Sequence, residues 1–301
     1  MKIQKIAEQW LLFRRVQLKN SSLVKYSQLM HKHILPQWGG IDIYDLKESD
    51  ILDFTQKKSA VLAPKTLHDL LHLLKSLLLA AAEERPGWKV PRIRYPKLHA
   101  KEIETFPASA QARLEAYLLK ITDPCRLGVV MTLYTGLRIG ELCALRWEDI
   151  SLDDRTLNIS KTLQRLPAES GNAKTALVLT EPKTDHARRK IPIPDFLIPK
   201  LKKIQSGNPD DYLLTGTAHW LDPRTLQNRF REYQKHAKIK PLKFHALRHT
   251  FATHCVELGF EIKSLSEILG HSSVKITLEK YVHVSWKLKQ QNMGLLKSFV
   301  A

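Results

Sequence analysis

The sequence predicts a mainly α-helical protein: an N-terminal helical bundle, then an α-helical domain carrying a small three-stranded antiparallel sheet. Three observations carry that prediction. Leucines recur at helical spacing through residues 64–84, and no run with strand character occurs before residue 90. A cationic stretch with three prolines, RPGWKVPRIRYPKLHAK (85–101), then breaks the helical pattern, as a connection between domains does. Beyond it, three short β-type runs stand among helical segments. At 301 residues and 43% hydrophobic content, the chain is long enough for two domains, each with its own core.

Taken in order, residues 4–18, 21–34, 48–59 and 64–84 read as helices. In the last, Leu67, Leu70, Leu71, Leu74, Leu77 and Leu78 share one face, and Pro64 suits the first turn. ILPQWGG (34–40) reads as a loop. The domains are placed at 1–88 and 106–301, with a basic linker at 89–105. Helices resume at 108–121 and 124–134, and 135–147 is a turn followed by a helix. RTLNIS (155–160), ALVLT (176–180) and RKIPIP (189–194) form the predicted sheet, with 161–175 as a polar connection and 181–193 as the joint between the last two strands. Helices follow near 222–237, 245–258, 262–269 and 273–283.

Charge and cysteine usage narrow the function class. The formal charge is +18. Residues 1–100 hold 17 Lys and Arg against 9 Asp and Glu, and residues 101–301 hold 31 against 21, so the excess is not confined to a tail. A basic surface of that extent points to a polyanion, nucleic acid first, with a basic enzyme of other substrate as the plainer reading. Cys125, Cys143 and Cys255 are far apart and lack CxxC spacing, which suits reduced thiols in the cytoplasm, in a nucleic-acid binder at the nucleoid. The N-terminal segment carries charges within its apolar pattern, unlike a signal peptide. LLHLLKSLLLAAA (70–82) is too short and polar to span a bilayer, so no membrane partner is expected.

HALRHTFATH (245–254) crowds three histidines and an arginine into ten positions. On a helix, Leu247, Phe251, His254, Cys255 and Leu258 share the predicted core face, which makes His254 a packed structural histidine. His245 and Arg248, at i and i+3, share another face. A metal site would need converging ligands with a carboxylate or thiolate, and here a permanent cation stands among them. An arginine beside histidines suits a phosphate. In TGLRIGE (135–141), Gly136 permits a tight turn and Arg138 falls near a helix start, with Glu141 three residues on. In EILGHSS (267–273), Gly270 ends a helix, His271 sits on the turn, and Ser272 or Ser273 caps the next helix, which carries Tyr281. Lys183, in EPKT, is placed at or beside a hairpin turn. Singly, each of these is more often an ordinary surface or packing residue.

Their order and spacing resemble the tyrosine recombinase (phage integrase) family, including the Xer recombinases and the integrases of phages and conjugative elements. The run HALRHTFATHCVELGFEIKSLSEILGHSSVKITLEKYVHV (245–284) resembles that family along its whole length, and YSQLMHKHILPQWG (26–39) resembles its core-site-binding domain. The resemblance implies a core-site DNA-binding domain at 1–88 and a catalytic domain at 106–301. It implies that Arg138 and Arg248 grip the scissile phosphate, that His245 and His271 are active-site histidines, and that Tyr281 is the nucleophile. Lys183 matches the lysine on the hairpin, with Lys174 as its rival because the 161–175 connection is longer than in the compact Xer proteins. Glu141 matches an acidic residue that supports the site from behind. His249 is the usual neighbour of the second arginine and receives no catalytic role.

Chemistry agrees with those roles. Two arginines offset the charge of a phosphodiester and stabilise its transition state. Tyrosine, with a pKa near 10, needs a base or a cationic site to attack at neutral pH; His245 is the candidate base. The departing 5′-oxygen needs a proton, for which Lys183 is the candidate acid. The implied product is a 3′-phosphotyrosyl link that a 5′-hydroxyl can resolve, with neither metal nor nucleotide cofactor required. The implied partners are double-stranded DNA clamped by the two domains, a homotetramer on paired DNA sites, and accessory directionality or DNA-bending proteins. The tail at 285–301 reads equally as docking on a neighbouring subunit or on its own domain. Two other readings stay open: a catalytically silent DNA-binding regulator, and a relaxing enzyme resembling the type IB topoisomerases.

Overall fold

The computed structural model describes residues 1–97, 103–167, 175–181, 187–282 and 293–294. The chain divides into two compact units, Met1–Lys101 and Glu102–Ala301.

The first unit is all-helical. It comprises α1 (Ile3–Gln17), α2 (Asn20–Leu29), a π-helical turn at Met30–Ile34, α3 (Leu35–Trp38), α4 (Glu48–Ser59) and α5 (Pro64–Glu84). The six leucines expected on one face of α5 are all buried, together with Leu73, because a 3.6-residue period stacks them along a single stripe. They pack against Ile3, Ile6, Trp10, Met30, Ile34 and Phe54. The expected loop at 34–40 is corrected: Leu35–Trp38 is helical, since Pro36 lies in a first turn that needs no N–H from it. Residues 85–97 contain no helix or strand. Trp88, Val90, Ile93 and Tyr95 nonetheless pack on the unit's core, with the Trp88 ring 5.2 Å from that of Tyr44.

The second unit is helical around two small sheets. Its helices are α6 (Ala108–Leu118), α7 (Pro124–Thr135), α8 (Ile139–Ala144), α9 (Ile198–Ile204), α10 (Pro223–His236), α11 (His245–Glu257), α12 (Ile262–Leu269) and α13 (Val274–Tyr281). Its strands are β1 (Ile150–Ser151), β2 (Thr156–Ile159), β3 (Thr162–Pro167), β4 (Thr175–Thr180) and β5 (Arg189–Pro192). A three-stranded antiparallel sheet is present in the order β1-β2-β5, with Leu157 opposite Ile191 and both buried.

Its membership differs from the sequence reading. The run at 176–180 is not in that sheet but pairs as β4 with β3, which lies in the expected polar connection. TLQRLP escaped recognition because, among its described side chains, only Leu163 is fully buried, so the alternation that marks a half-buried strand is weak. A further consequence follows for 181–193. It joins strands of two different sheets, and the hairpin loop is 168–174 instead. That loop, with Lys174, lies outside the described residues, as does Lys183.

The core-face reading of α11 also needs correction. Leu247, Phe251 and Cys255 are buried, but Leu258 is 64% exposed and the His254 side chain 55%. The segment packed on this side of α11 is anchored at Thr250, whose Oγ1 accepts from the Phe106 amide at 2.9 Å. One turn later, His254 and Glu257 border an open groove with Thr105 and Gln111. Periodicity sets the direction of a side chain, not how far along the helix a neighbour covers it. Among the described residues, no helix is long and apolar enough to cross a membrane.

Candidate active site

Two chain turns and helix α11 deliver the site. Helix α7 ends at Gly136, whose φ of +66° is left-handed, a conformation that glycine adopts without cost. The turn sets Arg138 at the cap position of α8. Gly140 lets α8 approach β3 so closely that a Cβ there would lie 2.6 Å from Thr162 Oγ1 and 2.7 Å from Leu163 O. Helix α12 ends at Gly270, again left-handed at φ +62°, and His271 follows with its amide bonded to Ser266 O. Ser273, one of the two expected caps, accepts from the Lys275 amide and starts α13, which ends at Tyr281.

These elements converge on one cleft of about 470 Å³. Arg138, Glu141, His245, Arg248, His271 and Tyr281 all line it, with Thr162, Gln164, Ala187 and Lys280. Every expected site residue within the described part of the chain therefore meets the others in space.

Arg248 is buried and held from two sides. Its guanidinium donates to Gly136 O at 2.7 Å and to Leu269 O at 2.6 Å. Both carbonyls close helices, where the backbone dipole is negative and favours a cation. Burial, then Arg138 nearby, lowers its pKa to about 9, which leaves it charged at neutral pH. Arg138 is half-open to the cleft and donates to Glu141 Oε1 at 2.7 Å and to Gly270 O at 3.3 Å.

Behind Glu141 stands Arg189, a residue the sequence reading passed over. Arg189 donates from Nη2 to Oε2 at 2.9 Å and from Nη1 to Oε1 at 3.1 Å, while its Nε reaches Ile268 O at 2.6 Å. Both side chains are nearly closed to solvent, 6% and 4% exposed. Burial by itself would raise the Glu141 pKa, but the bonds and charges of Arg189, then Arg138, bring it down to about 2. A signal was available: in HARRKIP the two-residue period of β5 turns Arg189 and Ile191 to one side, and Ile191 is core.

The two histidines that line the cleft, His245 and His271, and their neighbour His249 are poor bearers of charge. Burial, then His249, Arg248, Arg138 and Lys280, lowers His245 to about 4. Burial, then Arg248 and Arg138, takes His271 to about 3, and its Nδ1 lies 2.8 Å from Thr277 Oγ1. Burial, Lys280 and Arg248 lower His249 to about 4. All three are therefore neutral at pH 7. Three cations, Arg138, Arg248 and Lys280, line the cleft with one carboxylate among the described residues, Glu141, whose charge Arg189 already offsets from behind, so the cleft attracts an anion. Tyr281 is 5% exposed, and its Oη lies 2.8 Å from Nδ1 of His249. Burial raises its pKa, and Arg248 and Arg138 work against that rise.

Gly136 tests the frame. A Cβ at this position would lie 2.6 Å from Phe251 Cδ1 and 2.8 Å from Leu269 Cδ2. Left-handed strain plus overpacking predicts that Gly136→Ala costs about 2–4 kcal/mol, read as a fall in the urea midpoint; an unchanged midpoint would show that the turn is not constrained.

Comparisons with known proteins identify the family. Residues 97–287 match the phage integrase family, and residues 2–59 match the phage integrase N-terminal SAM-like domain. The chain is similar to the tyrosine recombinase XerC-like protein of Caldanaerobacter subterraneus subsp. tengcongensis, 29% identical over 308 residues, covering 91% of this chain and 77% of that one. It is similar to tyrosine recombinase XerA of Pyrococcus furiosus, 31% identical over 222 residues, covering 69% and 68%. In fold, it resembles the Tn1549 transposon integrase solved with transposon right-end DNA, with a TM-score of 0.81 and 22% identity over 98% of this chain and 99% of that one. With residues 97–287, more than half of its length, matched to the phage integrase family, the chain belongs to that family and is a tyrosine recombinase, a site-specific DNA strand transferase.

Proposed function

We propose that the cleft grips the scissile phosphate of double-stranded DNA between Arg138 and Arg248, and that Tyr281 attacks it to form a 3′-phosphotyrosyl link. The observation that carries this reading is that Tyr281 lines the same cation-rich cleft as both arginines. His271 and His245, neutral at pH 7, each offer an N–H to phosphate oxygens. Glu141 holds Arg138 in place and is a positioning residue. The strand exchange that follows joins four copies of the chain on paired DNA sites, with accessory directionality or DNA-bending proteins setting its outcome.

Lys183 is the proposed acid for the 5′-oxygen. It stands four residues before Ala187, which lines the cleft. Lys174 precedes Thr175, which pairs with Pro167 at the far end of the β3–β4 hairpin. Thr162 marks the cleft end of that hairpin, and five residues of strand span about 17 Å. Chain geometry thus favours Lys183. Lys183→Ala should slow cleavage about 100-fold or more on ordinary DNA yet spare DNA with a bridging 5′-sulfur, whose thiolate leaves without a proton. The same sulfur-rescued defect in Lys174→Ala would move the assignment there.

The function is tested by trapping on nicked DNA that releases the short 5′ strand after cleavage. A protein–DNA band that survives denaturation is expected. Salt-sensitive binding without such a band would favour the silent regulator.

A further inference from the structure

Among the described residues, three histidines stand in or beside the cleft, and one of their rings sits at hydrogen-bonding distance from the proposed nucleophile. His249 Nδ1 is 2.8 Å from Tyr281 Oη. His245 makes no hydrogen bond to Tyr281 among the described residues; its ring packs edge-on against His249, with centroids 4.5 Å apart. His271 lies parallel to the Tyr281 ring at 6.4 Å, but its Nδ1 is engaged with Thr277. His249 also follows Arg248 directly on α11, so a single helix carries both the phosphate grip and the contact to the phenol.

We propose that His249 is a catalytic residue, the base that takes the Tyr281 proton as the phenol attacks. The proposal rests on Tyr281 as nucleophile. In the step, the Oη–H bond breaks and its proton passes to His249 Nδ1. The Oη lone pair forms the bond to phosphorus, and the bond from phosphorus to the 5′-oxygen breaks. That oxygen leaves with a proton from Lys183. When a 5′-hydroxyl attacks the phosphotyrosine, the steps reverse and His249 returns the proton. Among the described residues, three titratable or charged groups besides Tyr281 face His249: Arg248 and His245 on its own helix, and Lys280 on α13. Burial first, then these two cations, keeps the ring neutral, which leaves Nδ1 free to accept. An entering phosphodiester adds a negative charge that offsets them, so the ring takes up a proton more readily when DNA is bound.

The test is single-turnover cleavage of nicked DNA by wild type, His249→Ala and His249→Gln, each with tyrosine or a more acidic fluorotyrosine at position 281. DNA affinity serves as the folding control. We expect His249→Ala to cleave about 100-fold slower with affinity unchanged. His249→Gln, which can accept a hydrogen bond but not a proton, should be similarly slow. The fluorinated phenol should restore both variants at least tenfold and change wild type little, an effect that a packing defect would not show. Should His249→Ala fail to bind DNA, His249→Gln decides. Rates within threefold of wild type, or a defect that the acidic phenol leaves untouched, would overturn the proposal. Covalent capture by Tyr281→Phe would instead overturn the underlying reading, whatever His249 does.

Discussion

Tyr281→Phe should abolish covalent capture of DNA while leaving binding intact. The phenylalanine ring keeps its place among Phe251, Cys255, Leu265 and Leu269, the small buried cluster at the end of α13. What disappears is one oxygen and its hydrogen bond to His249, a loss of about 1 kcal/mol in stability, too little to unfold a domain of this size. Affinity comes mainly from the cationic surface and falls steeply with salt, and the substitution alters no charge at neutral pH. Wild type and variant should therefore shift DNA equally on a native gel. Only wild type should give a band on a denaturing gel. A band from the variant would assign the nucleophile elsewhere.

Glu141→Ala should be the most destabilising single change in the site. Removing the carboxylate strands Arg189 in a position where its side chain is 6% exposed, and breaking a buried pair from one side costs about 3–5 kcal/mol. Arg138 also loses the partner of its Nη1 and of its backbone amide, so cleavage should fall along with stability. The pH dependence has a definite sign. The folded-state pKa of Glu141 is lowered from 4.5 to about 2. Its contribution, about 3 kcal/mol, is complete above pH 4.5 and is lost as pH falls toward 2. Urea midpoints should thus drop more steeply between pH 5 and pH 3 for wild type than for Glu141→Gln. Glu141→Ala with Arg189→Leu should recover part of the loss, because no unpaired charge remains. An unchanged midpoint in Glu141→Ala would show that water replaces the carboxylate at no cost.

Much of the helical architecture was legible because its cause is local. The α5 leucines repeat with the period of the helix they form, and Gly136 and Gly270 mark turns that other residues enter only with strain. The hairpin was less legible. Among the described residues of strand β3, Leu163 is buried, Arg165 is exposed and Thr162, Gln164 and Leu166 are half-buried, so the alternation that signals a strand is weak. His254 shows the same limit from the other side: its helical angle was right and its burial wrong, since covering depends on where a neighbouring segment ends.

Local chemistry along the chain was enough for the helices and their turns, since propensity, capping and periodicity act within a few residues; the side chains Arg138, Glu141, His245, Arg248, His271 and Tyr281 were picked out by their resemblance to the tyrosine recombinase motifs. Only the tertiary structure decided how the parts act on one another. It set Arg189 behind Glu141, across 48 residues of chain, and Arg248 between two helix ends that lie 112 and 21 residues away from it. It also turned His249, a residue with no role in the sequence reading, toward the hydroxyl of Tyr281, 32 residues on. Those partners were chosen by the packing of α7, α11, α12 and α13, a long-range outcome that no local pattern records.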